Sequence, residues 1–140
     1  MRQRQTTGVE RRQLDALAIT PEGFRYPERF QQALAQQPLP EITPFMWLSE
    51  YEDQATNWAE IVATQFPART LVPFAKHEDT DDVFCFEATD HSGNPPVHII
   101  HTFTTPGWEY RGTWSTFDVW WEEMEEQHAA WLAEQEAEED

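Results

Sequence analysis

Two runs rich in β-branched and aromatic residues constrain this chain most: Asp82–Thr89 (DVFCFEAT) and Val97–Thr104 (VHIIHTFT). Such side chains fit a pleated, half-buried surface. Between them lies Asp90–Pro96 (DHSGNPP), where Gly93 and two prolines rule out regular structure. The spacing predicts an antiparallel hairpin. A third strand is expected just upstream, Thr70–Lys76 (TLVPFAK), joined by the polar link HEDTD. Pro73 cannot donate to a sheet ladder, so this strand is expected at an edge or a bulge. An exposed edge there would make the chain a monomer or a weak homodimer.

Three helices follow from periodicity and capping. Phe117, Trp120, Trp121, Met124, His128 and Trp131 recur as one helical stripe. Ser115 and Asp118 have capping-box spacing, and Trp114 and Val119 the positions of a hydrophobic staple. A second helix is expected from Ser49, with Glu52 completing S-x-x-E. Tyr51, Ala55, Trp58, Val62 and Phe66 share its face, and Pro67 stops it. A shorter helix starts at Pro27 and groups Phe30, Ala33 and Leu34. A further turn is expected around Glu10–Leu17.

Helices, then a meander, then a helix define an α+β fold: an antiparallel β-meander of three or more strands with helices packed on it. The 140 residues suffice for one domain. Residues 1–25 read as a basic, partly helical segment, 26–133 as the α+β domain and 134–140 as an acidic tail that frays. Phe117, Trp120, Trp121 and Met124 are expected to pack on Phe84, Phe86, Ile99 or Ile100, and Phe103.

Charge narrows the partners. Nine Lys and Arg oppose 26 Asp and Glu, a net −17. Residues 1–40 hold six arginines against four acids, and residues 41–140 hold three cations against 22 acids. Nucleic acid is excluded as the main partner, because binding it means neutralising phosphates with cations. An anionic membrane surface is excluded likewise. A basic protein partner is favoured. The single cysteine, Cys85, rules out an internal disulfide and a zinc site built on two or more cysteines. No apolar run approaches the ~18 residues of a membrane span. The N-terminus MRQRQTTGVERRQ does not read as a secretory signal, so a cytoplasmic protein is expected.

Motifs for chemistry are missing. The sequence has no G-x-x-x-x-G-K-[ST], G-x-G-x-x-G or G-x-S-x-G, and one lysine, Lys76. Cys85, mid-strand between Phe84 and Phe86, reads as a buried thiol. His98 and His101 are three apart on a strand, hence on opposite faces and unable to chelate one ion. His77, Asp79 and His91 are left as a metal alternative. The run Glu78–Asp82 lacks the glycine and the glutamate of a calcium loop. No catalytic, cofactor or metal residue is assigned, and a small metal-dependent enzyme is the lesser alternative.

Trp108, Glu109, Tyr110 and Trp114 fall in a segment without periodicity. They read as cover for the sheet's open end, or as rigid aromatic anchors ringed by acids. Acids on a rigid hairpin need no ordering on binding, unlike those of a tail. The turn holding Asp79, Asp81 and Asp82 and the loop holding Asp90 lie at opposite ends of a strand of about eight residues at ~3.3 Å each. The segment after the third strand emerges at the first of these ends. The expected partner-binding residues are Asp79, Asp81, Asp82, Trp108, Glu109 and Tyr110.

Leu71-Val72-Pro73-Phe74-Ala75, Asp82-Val83-Phe84-Cys85-Phe86-Glu87 and the Val97–Phe103 strand resemble the SUKH superfamily, the Smi/Knr-like proteins. Ser115-Thr116-Phe117-Asp118-Val119-Trp120-Trp121-Glu122 is similar to that family's "ssFeeWL" helix opening, and Tyr26-Pro27-Glu28-Arg29-Phe30 to its early "LPedY" helix. The resemblance covers most of residues 26–125. Gln36-Gln37-Pro38 stands where the family has a Gly-rich turn. The resemblance implies an α+β domain that works by binding. Bacterial members look like immunity proteins that neutralise a cognate toxin, often a nuclease or deaminase. Fungal relatives are cell-wall synthesis regulators acting as protein-interaction modules. Neither role needs a catalytic residue.

Overall fold

The computed structural model describes residues 20–51 and 53–139. The turn expected around Glu10–Leu17, and Glu52, lie outside the described residues. In chain order the elements are α1 (Glu28–Leu34), β1 (Phe45–Trp47), a 3-10 turn (Leu48–Glu50), α2 (Gln54–Gln65), β2 (Leu71–His77), β3 (Asp82–Glu87), β4 (Val97–His101), β5 (Tyr110–Trp114) and α3 (Phe117–Glu139). The strands form one antiparallel sheet in the order β1-β2-β3-β4-β5. Sequence neighbours are sheet neighbours throughout, so the α+β meander is the observed fold.

Phe84 pairs with Ile99, and Phe86 with Val97. Cross-strand partners share a face, and α1 and α3 cover this one. Trp120 stands edge-on to Phe74 at 4.9 Å and to Phe84 at 5.3 Å. Phe30 of α1 meets Phe86 at 5.2 Å and Phe117 at 5.5 Å. Such edge contacts add ~0.5–1.5 kcal/mol each to the burial itself. Phe117, Trp120, Trp121 and Met124 are all buried, as the stripe predicts. The opposite face carries Val83, Cys85 and Ile100, also buried. There α2 packs, with Ala55 and Val62 buried and the Trp58 ring 5.3 Å from the Lys76 ammonium.

Four expectations change. First, of the edge or bulge expected for β2, the bulge forms and the edge does not: the strand lies between β1 and β3. Strand β1 pairs with Ala75–His77, so Pro73 lies beyond it, and a bulge between Pro73 and Ala75 accommodates the missing donor. The edge on which a homodimer was expected is therefore partly covered. Second, Tyr110–Trp114 is a strand, with Gly112 set against Ile99. Third, the helix starts shift. The Val119 N–H donates to Thr116 Oγ1 at 3.2 Å, so Thr116 and not Ser115 caps α3. Val119 is exposed, and no staple forms; Trp114 instead donates its Nε1–H to Glu123 at 3.1 Å. Helix α2 starts at Gln54 rather than Ser49, because buried Leu48 ties the chain to the core and the extended Tyr51 carries it onward. Fourth, α3 runs on to Glu139, through residues that composition reads as a frayed tail.

Candidate functional site

The site is built on the β2–β3 hairpin turn and the loop that follows β4. Short side-chain bonds fix the turn. The Asp79 N–H donates to His77 Nδ1 at 3.0 Å, and the Asp82 N–H to Thr80 Oγ1 at 3.2 Å. Asp79 and Asp81 are exposed, while Asp82 is half-buried. The carboxylate of Asp82 accepts from His101 Nδ1 at 2.8 Å. The carbonyl of Asp81 accepts both the N–H and the hydroxyl of Thr102, at 3.0 and 2.8 Å. The His101 N–H in turn donates to the Glu109 carbonyl at 2.8 Å. The segment between β4 and β5 is thus laced to the acidic turn, as the antiparallel order requires.

Glu109 organises this loop from inside. Its carboxylate is buried and accepts Arg69 Nε–H at 2.6 Å and the Gly107 N–H. Burial pushes its carboxyl pKa up. Arg69 and the N–H groups of Glu109 and Gly107 outweigh that and hold it below the ordinary glutamate value. With Glu109 committed inward, the surface is carried by its neighbours: Trp108 is 73% exposed and Tyr110 51% exposed. The Tyr110 hydroxyl lies 2.7 Å from Thr113 Oγ1, so its ring leans back along β5. Among the expected residues, Asp79, Asp81, Asp82 and Trp108 gather at one end, and Tyr110 extends from it.

Sequence reasoning missed Phe103. The alternation of VHIIHTFT places it on the core face with Ile99. Thr102, however, is buried and tied to Asp81, which ends the strand at His101 and turns the chain outward. Phe103 is 63% exposed at φ 59°, a conformation rare for a bulky residue and costing ~1–3 kcal/mol. Also unforeseen are Glu41 and Glu50, which the fold brings into the field of Glu78. Burial, then the charges of Glu78 and Glu41, raise the Glu50 pKa. No local signal marks that meeting, because it depends on β1, which the sequence does not announce.

The histidines separate. His77 borders the acidic turn, whereas His91 lies at the other end of β3, against Gly23. Those two and Asp79 therefore cannot share an ion. His98 contacts Glu87 at 3.1 Å and Thr113 at 2.8 Å on the sheet face opposite Ile99. Among the described residues, no group of three or more His, Cys, Asp or Glu is placed to hold a metal ion. Burial pushes the Cys85 thiol pKa far up. No helix among the described residues is long and apolar enough to cross a membrane.

The architecture defines an α+β protein whose exposed aromatics flank an acidic hairpin turn. The chain matches no family model, no curated protein and no solved structure.

Proposed function

We propose that this chain is a non-catalytic binding module for a basic protein, of the SUKH-like immunity type, with a toxin domain as its partner. One observation carries the reading. Asp79 and Asp81 stand on a hydrogen-bonded turn laced to a loop that displays Trp108 and Phe103. Aromatic anchors beside preordered acids suit a basic cleft of the kind a nucleic-acid-attacking toxin carries. The net charge of −17 steers such a partner in. The resemblance to SUKH proteins and the inward commitment of the buried ionisable groups support binding over catalysis.

The test is an affinity capture with the wild-type chain and with Asp79→Asn, Asp81→Asn and Asp82→Asn combined. The reading expects a protein with a basic domain, retained by the wild type and lost by the triple variant. Expressing that protein alone should arrest growth, and co-expressing the wild-type chain should relieve the arrest. A captured protein that is acidic, or harmless when expressed alone, would count against the immunity role.

A further inference from the structure

A groove of about 470 Å³ runs along α2, lined by Asn57, Glu60, Ile61, Thr64 and Gln65. Gln65 joins it to the β4–β5 loop by accepting the Phe103 N–H on Oε1 at 2.6 Å. The Phe103 ring meets Trp58 of the same helix edge-on at 6.4 Å. One residue earlier, Thr102 is bonded to Asp81. A run of contacts, Gln65 to Phe103 and Thr102 to Asp81, therefore links the groove to the acidic turn. Its lining contains one acid, Glu60, and no cation. Lys76 and Arg69 are committed, Lys76 to the His77 carbonyl and the Trp58 ring, Arg69 to Glu109. A bulky aromatic kept exposed at φ 59° stores backbone strain without filling the core, as residues at binding sites do.

We propose that this groove seats an amphipathic basic segment of the partner. An apolar side chain enters between Phe103 and Ile61, and a neighbouring Lys or Arg faces Glu60 and Asp81. The inference rests on the basic-partner reading above and adds where the partner's apolar anchor goes. A second copy of this chain is a poor occupant, because at −17 it would bring like charge to the same acids.

The probe is a synthetic amphipathic peptide of leucine and arginine, titrated into the full, nitrogen-15-labelled chain and followed by amide shifts. Two matched peptides replace Arg by Gln or Leu by Ser. The expected result is saturable shifts at Asn57, Ile61, Gln65 and Phe103, with affinity about ten-fold weaker for either control peptide. Phe103→Gly suits the left-handed backbone and keeps the remaining spectrum, yet should weaken binding by a similar factor. Shifts confined to Asp79–Asp82, and equal for the Leu-to-Ser peptide, would overturn the groove while leaving the acidic surface standing. Shifts at neither region would remove both. Unchanged affinity in Phe103→Gly would also overturn the proposal.

Discussion

Replacing Arg69 by Ala should do more than remove a surface charge. Arg69 keeps 30% of its side chain exposed, but its partner Glu109 keeps only 7%. The substitution leaves a buried carboxylate holding N–H bonds from Gly107 but no counter-charge. Breaking a fully buried pair costs ~3–5 kcal/mol, and the exposed flank of Arg69 lets water repay part, so ~2–3 kcal/mol is expected. At roughly 3–5 °C per kcal/mol for a chain of this size, the thermal midpoint should fall by ~6–15 °C at neutral pH. The pH dependence carries the sign. Glu109's pKa is lower folded than unfolded, so its contribution is present above the ordinary glutamate value and lost as pH falls through the folded value. In Arg69→Ala the uncompensated carboxyl protonates more readily. The gap between variant and wild type should therefore narrow on acidification from neutral pH to below about pH 4. Thermal melts across that range, with Glu109→Gln and the double variant, close a cycle. A midpoint unchanged at neutral pH, or a gap of the same size at every pH, would refute the buried-pair account.

Other expectations follow from single contacts. Trp120→Ala removes a fully buried ring lying against Phe74 and Phe84, and should cost ~3–5 kcal/mol by chemical denaturation. Phe103→Gly exchanges left-handed strain of ~1–3 kcal/mol for the loss of one edge contact with Trp58, so stability should hold or rise slightly. Cys85 should resist alkylation in the native protein and react once denatured, as mass spectrometry would show. Dialysis against a strong chelator should leave the thermal midpoint where it was, and a fall that zinc or calcium restores would contradict the site as described.

What the sequence made legible was whatever has its own period. The Phe117–Met124 stripe, the β3–β4 hairpin and the Phe30, Ala33 and Leu34 face all declare themselves within a few turns of chain. β1 escaped because three residues directly after Pro44 are too few to show alternation; only the partner strand β2 makes them a strand. β5 escaped because Gly112 interrupts its pattern and a bulge at Ile99 and Ile100 shifts its register. At the site, the turn acids and the position of Trp108 were readable from antiparallel order alone. Glu109 was expected at the surface and is buried instead, because its partner Arg69 lies 40 residues away and no local pattern announces the pair. Phe103 was assigned to the core because alternation was extended past the point where Thr102 turns inward.

The central claim is that preordered acids at the hairpin end, and not the C-terminal acids, draw in a basic partner. Stopped-flow association with the captured partner tests it most directly, using the wild type, the Asp79, Asp81 and Asp82 to Asn variant, and a chain truncated after Leu132. The wild-type on-rate should fall by roughly ten-fold as salt is raised from low to well above physiological strength. The triple variant should associate slowly and lose most of that salt dependence, while the truncated chain keeps both rate and dependence. A truncated chain that binds slowly beside an unimpaired triple variant would contradict the account and move the interface to the end of α3.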